Sequence, residues 1–140
     1  MKFFNEYYKN VAKCIQGLDK TKINSICELI KDTSNNKGII YLAGNGGSAS
    51  TASHISTDLT KNAKVKAMTF NDANLITCFS NDYGYENWLN AAIKYYVKLS
   101  DLVILLSVSG ESKNLLNAAN FCNKEKIKLV TITGANEGNS

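Results

Sequence analysis

The sequence predicts an α/β fold: a three-layer sandwich with a central parallel sheet between helices, preceded by an N-terminal helical segment. Three observations carry this. Short apolar runs recur at Gly38–Ala43, Lys64–Phe70, Leu102–Leu106 and Ile127–Thr133. Helical patterns lie between them, at Ser48–Thr60, Glu86–Leu99 and Ser112–Asn123. Strand and helix therefore alternate, as a parallel sheet with crossover helices requires. The 140 residues, 44% of them hydrophobic and 20% charged, suffice for one globular domain with a real core.

The N-terminal segment reads as two helices. Phe3, Phe4, Tyr7, Tyr8, Val11 and Ile15 form one apolar face within Lys2–Leu18. Ile23, Ile26, Cys27 and Ile30 form a second, closed by the turn-forming run Thr33-Ser34-Asn35-Asn36-Lys37-Gly38. The expected division is residues 1–36 as a helical segment and 37–140 as the sheet domain. The ending, Ala135 to Ser140, reads as a loop. It gives the expectation that the natural protein continues with a further strand and helix.

Composition narrows the function. No apolar run is long enough to cross a bilayer, and the N-terminus soon turns polar, unlike a signal peptide. A cytoplasmic protein without a membrane partner is expected. The net charge is +4 but forms no compact basic run, so no nucleic-acid partner is expected. Cys14, Cys27, Cys78 and Cys122 form no CxxC pair and read as small buried hydrophobes. All 16 Lys+Arg residues are lysine. A phosphate ligand would thus be held by backbone N–H groups, hydroxyls and lysine, without the bidentate arginine clamp.

In open α/β sheets, ligands sit beyond the carboxyl ends of the strands. Gly44-Asn45-Gly46-Gly47-Ser48 leaves the first strand there. Its glycines allow a sharp turn and close approach to a ligand, and Ser48 is placed to cap the next helix. The loop is neither GxGxxG nor a P-loop, which argues against a nucleotide cofactor. Ser107-Val108-Ser109-Gly110-Glu111-Ser112 follows the third strand and crowds three hydroxyls at a helix N-terminus, a phosphate cradle. A serine-capped helix would explain Ser112 alone. Ser80-Asn81-Asp82-Tyr83-Gly84-Tyr85 reads as a third loop, whose Asp82 could hydrogen-bond sugar hydroxyls; by itself it is an ordinary turn. His54 and Asp58 are four residues apart and share a face of the helix that the glycine loop opens. They are candidates for acid–base work or metal binding, although a single histidine on a helix is more often structural.

Together these stretches resemble the sugar isomerase (SIS) family, and within it the phosphoheptose isomerases. The resemblance rests on Ala43 to Ser48, His54 with Asp58-Leu59-Thr60, Ser80 to Gly84, and Ser107 to Ser112. It implies a flavodoxin-like, doubly wound SIS fold. It also implies conversion of sedoheptulose 7-phosphate to D-glycero-D-manno-heptose 7-phosphate through an enediol, in the supply of heptose for lipopolysaccharide or capsule. Ser107, Val108, Ser109 and Ser112 would hold the phosphate. Asn45, Gly46, Gly47 and Ser48 would line the sugar site, and Asn81 with Asp82 would contact it. Asp58 would stand where the family usually has a glutamate base, its carboxylate short by about an ångström, a misplacement that can cost ~100-fold in rate. Val108 stands where the family usually has threonine. His54 with Asp58 would help bind zinc, giving two of the three or four ligands that zinc takes. The family's glutamine and second catalytic histidine lie C-terminal to these motifs and are not in the 140 residues, so little isomerase activity is expected of these alone. A dimer or tetramer is implied as well. The alternatives are a non-catalytic SIS module that binds a sugar phosphate as a signal, and a protein-interaction member of the fold.

Overall fold

The computed structural model describes residues 1–134. Its elements run α1 (Lys2–Gln16), α2 (Lys20–Asn35), β1 (Ile40–Gly44), α3 (Gly47–Lys61), β2 (Ala67–Thr69), α4 (Ala73–Tyr83), α5 (Trp88–Tyr96), β3 (Leu102–Ser107), α6 (Lys113–Lys124) and β4 (Lys128–Thr133). The four strands form one parallel sheet in the order β2-β1-β3-β4. The three-layer α/β expectation is met.

The strands are apolar on both faces because both are covered. Ile40, Leu42, Leu102, Ile104 and Leu106 point to one side, where Ile26, Leu29 and Ile30 of α2 and Ala52, Ile55 and Leu59 of α3 pack. Tyr41, Ala43, Val103 and Leu105 point to the other, against Leu75, Ile76 and Phe79 of α4, Leu89, Ala92 and Ile93 of α5, and Leu115, Ala118 and Cys122 of α6. The alternation follows from the two-residue period of a strand.

The amino ends of the strands are fastened by Asp101, which is only 3% exposed. Its carboxylate accepts from the N–H of Ile39 and the N–H of Lys98, both at 2.8 Å. Asp19 caps α2 by accepting from Thr21 and Lys22, and these backbone bonds hold its carboxyl below the usual range. α1 differs from every element after it: all of its residues are exposed, Phe3, Phe4, Tyr7 and Tyr8 among them.

Several expectations change. β2 is only three residues long, and α5 spans Trp88–Tyr96 rather than Glu86–Leu99. α4 extends through Ser80–Tyr83, where the start of a loop was expected. Asp72 caps it through Leu75 N–H at 2.9 Å, and three apolar residues on one side anchor it to the core. Of the cysteines, only Cys122 is buried; Cys14, Cys27 and Cys78 are exposed. Cys27 and Cys78 stand on helices whose packed sides are supplied by other residues, and Cys14 stands on α1, all of whose residues are exposed. Residues 135–140, read as a loop, lie outside the described residues.

Candidate functional site

The crossovers from β1 and β3 leave in opposite directions, to β2 and to β4. The carboxyl ends of β1 and β3 thus flank the switch point of the sheet, where ligands of such folds sit. Gly44 pairs with Leu106 there, so the glycine loop and the serine loop leave side by side.

The glycines of the first loop do different work. A Cβ on Gly44 would lie 2.7 Å from the carbonyl carbon of Ser48, so only glycine lets the strand end meet the start of α3 this closely. Gly46 adopts φ 52°, ψ −121° and caps α3 by position. Ser48, expected as the cap, lies inside the helix, which has no side-chain cap. The reason is the backbone of Gly46, which turns the chain into the helix two residues earlier.

In the serine loop, Ser107 Oγ accepts from Gly110 N–H at 3.0 Å and Ser109 Oγ accepts from Glu111 N–H at 3.2 Å. These bonds curl the loop over the N-terminus of α6. Ser112 occupies the cap position but makes no capping hydrogen bond. Its hydroxyl and the first N–H groups of the 12-residue helix are left for an anion. The resulting pocket, about 220 Å³, is lined by Asn45, Ser48, Ser107, Val108, Ser109 and Ser112 among others. The structure thus brings the four expected phosphate-loop residues together with Asn45 and Ser48.

Asn45 joins this pocket to a second cleft. That cleft, about 350 Å³, is lined by Gly44, Asn45 and Gly46 with Ser50 and Ser53 of α3, Asn71 after β2, and Tyr85 and Trp88. Asn45 donates to Asn114 Oδ1 at 2.9 Å, and Asn114 donates back to Asn45 Oδ1 at 2.9 Å. Tyr85 O–H donates to the same Asn45 oxygen at 3.3 Å. Asn114 is 2% exposed, so this amide pair ties the two loops from within. Asn114, Asn71, Ser53 and Tyr85 were not singled out as site residues from the sequence. The one available signal was Asn114: an amide among the apolar positions of a helix start needs a partner when buried.

The remaining candidates lie elsewhere. Asn81 and Asp82 are on the last turn of α4, exposed, with Asn81 donating to Asp82 at 3.0 Å. Neither lines the cleft. The helix that replaces the expected loop points them to solvent. His54 Nε2 lies 3.4 Å from Asp58 Oδ2, as expected for four residues along a helix, but the pair is on the outer strip of α3. Ser50 lines the cleft, whereas His54 and Asp58, one and two turns further along α3, line neither it nor the serine-loop pocket. Among the described residues, no cluster of three His, Cys, Asp or Glu could hold a metal ion. Among the described residues, His54 and Asp58 supply two donors, fewer than the three or four that zinc takes.

Residues 4–134 match the family model of the SIS domain. The chain belongs to the SIS domain family. A phosphoheptose isomerase of Helicobacter pylori is 32% identical, over 98% of this chain and 74% of that protein. One of Leptospira biflexa is 34% identical, over 83% of this chain and 64% of that protein. Campylobacter jejuni phosphoheptose isomerase 2 is 35% identical over 82% of the chain, which covers 60% of its length. Among solved structures, the phosphoheptose isomerase GmhA of Neisseria gonorrhoeae superposes with TM-score 0.86 at 25% identity, covering 98% of this chain and 74% of that one. Within the SIS family, the chain groups with the phosphoheptose isomerases.

Proposed function

We propose that the protein is an aldose–ketose isomerase interconverting sedoheptulose 7-phosphate and a heptose 7-phosphate. The observation that carries this is the pair of pockets meeting at Asn45, one built for a phosphate and one polar enough for the attached polyol. The serine loop holds the phosphate with hydroxyls and the N-terminus of α6, which needs no arginine. Anchoring one end lays the open-chain sugar past Asn45.

The reaction removes a proton from C1 of the ketose and returns one to C2, through an enediol. Asp58 is the carboxylate proposed as base, with His54 as its acid partner. Neither lines the cleft in the single chain; both are exposed on a strip of α3 that a single chain leaves open. A second copy covering that strip and the apolar face of α1 would complete the site, which supports a dimer or tetramer. No described helix is long and apolar enough to cross a membrane, and a cytoplasmic enzyme of heptose supply fits this reading.

The exposure of His54 and Asp58 also favours the second reading, a sugar-phosphate-binding module without catalysis. One experiment separates them. Sedoheptulose 7-phosphate is incubated with the protein in deuterated water and followed by NMR, with Ser109→Ala as control. Deuterium appearing at C1 or C2, lost in the control, supports the isomerase. Binding without exchange supports the module, and no binding removes both.

A further inference from the structure

Asn71 follows the short edge strand β2 and closes the far side of the sugar cleft from the serine loop. Its side-chain amide is fixed in orientation. Nδ2 donates to the carbonyl of Ala49 at 2.7 Å and to Ser53 Oγ at 2.8 Å. A carbonyl can only accept, so the nitrogen must face Ala49, and both amide protons are used. Asn71 Oδ1 is therefore turned away from α3 with both lone pairs free. It is not among the buried side-chain atoms without a partner, which among the described residues are Thr33 Oγ1, Ser80 Oγ, Trp88 Nε1 and Asn90 Oδ1. With no bond among the described residues and without being buried, it is an accessible acceptor on a residue that lines the cleft.

Ser53 complements it. A helical serine usually returns its proton to the carbonyl four residues back. Thr51 and Thr57 do so on this helix, to Gly47 and Ser53. Ser53 makes no such bond to Ala49, whose oxygen instead receives Asn71. Because Ser53 Oγ accepts from Asn71, its own proton is free, and Ser53 lines the cleft. An acceptor and a donor thus stand side by side, held by a shared amide nitrogen. An alcohol is the group that both donates and accepts through one oxygen.

We propose that Asn71 and Ser53 form a specificity pair that reads a hydroxyl of the polyol chain remote from the phosphate. The sugar hydroxyl donates to Asn71 Oδ1 and accepts from Ser53 O–H. The inference rests on the sugar-phosphate reading of the cleft. It adds a determinant that does not belong to the glycine, serine or asparagine–aspartate motifs. Substrates that carry the phosphate but lack the remote hydroxyl gain nothing from it.

The test is titration calorimetry on the full chain with two phosphate esters, sedoheptulose 7-phosphate and the shorter glycerol 3-phosphate. Proteins are the wild type, Ser53→Ala and Asn71→Ala, each checked for native circular dichroism. One lost hydrogen bond corresponds to a roughly 5- to 10-fold loss in affinity. Ser53→Ala should weaken the seven-carbon ester by that factor and leave glycerol 3-phosphate within about twofold. Asn71→Ala should weaken the seven-carbon ester more, since it also releases Ala49. Should Asn71→Ala fail to fold, Ser53→Ala decides alone, because alanine is the better helix former. Equal losses for both esters would mean that the pair only supports the loop, and unchanged affinities would mean that no hydroxyl is read; either overturns the pair while the sugar-phosphate reading stands. A wild type that binds neither ester overturns that reading, and the pair with it.

Discussion

Asn45 and His54 lie on the same loop-and-helix segment, yet their surroundings differ. Asn45 exchanges two hydrogen bonds with the buried Asn114 and accepts a third from Tyr85. The His54 side chain is 79% exposed and, among the described residues, pairs only with Asp58, itself 52% exposed. The single chain thus preorganises the cleft that would hold the ligand, and leaves unconstrained the groups that would do chemistry. Rigid groups bind without an ordering cost, whereas exposed ones must be ordered when the site is completed.

Breaking the rigid side should have the largest effect. Gly44→Ala puts a methyl group 2.7 Å from Ser48 backbone, on a junction where the strand end and the helix start are both held. Overpacking of this kind costs ~1–3 kcal/mol, and here it also displaces Asn45. The expected outcome is a melting temperature lower by several degrees and sedoheptulose 7-phosphate binding reduced below detection. Unchanged melting and binding would show that the close approach is not needed.

Asn114→Leu sharpens the comparison at constant size. It leaves the Asn45 amide without its partner, at a cost of ~1–3 kcal/mol. A loss of about 30-fold in sugar-phosphate affinity is expected, because the two loops are no longer tied. Calorimetry with wild-type affinity would show that the amide pair is only a packing feature.

The sequence made the sheet legible and the clamp illegible, for one reason. β1 and β3 are continuous apolar runs, and burial on both faces leaves no other reading for Leu102 to Leu106. The glycine and serine loops carry their chemistry locally. The partners Asn45 and Asn114 are 69 residues apart, and only the sheet order brings them together. α4 was missed because its last turn, Ser80-Asn81-Asp82, and the Gly84 that follows are turn-forming residues, and Leu75, Ile76 and Phe79 make only a short apolar stripe before them. Its start at Asp72 was nevertheless a readable capping signal.

Cysteine burial gives a smaller contrast. Burial pushes the Cys122 thiol up to about 11, while Cys14, Cys27 and Cys78 are exposed. A disulfide reagent at pH 8 should label three thiols in the native protein and the fourth only on unfolding. The sign of the pH dependence follows. The unfolded thiol ionises near ~8.5, so above that pH the unfolded state binds fewer protons than the native state. The contribution of Cys122 to stability is thus intact below pH ~8.5 and falls progressively as pH rises toward about 11. A Cys122→Ala variant, compared with wild type by urea unfolding at pH 7 and pH 10, should lack that part of the decline.

The smallest effect on the fold is expected where the catalytic proposal is most exposed. The His54–Asp58 pair, 3.4 Å apart on an open helix face, resembles surface ion pairs that contribute ~0–1 kcal/mol. Asp58→Asn should therefore leave urea unfolding within about 0.5 kcal/mol of wild type, and sugar-phosphate affinity within about twofold. Deuterium exchange into the bound sugar should nevertheless fall ~100-fold or more, because the proton acceptor is gone. The split between intact binding and lost exchange is what distinguishes a base from a structural carboxylate. If exchange persists in Asp58→Asn, the outer strip of α3 is not the catalytic side, and the base must be sought among the groups that line the cleft.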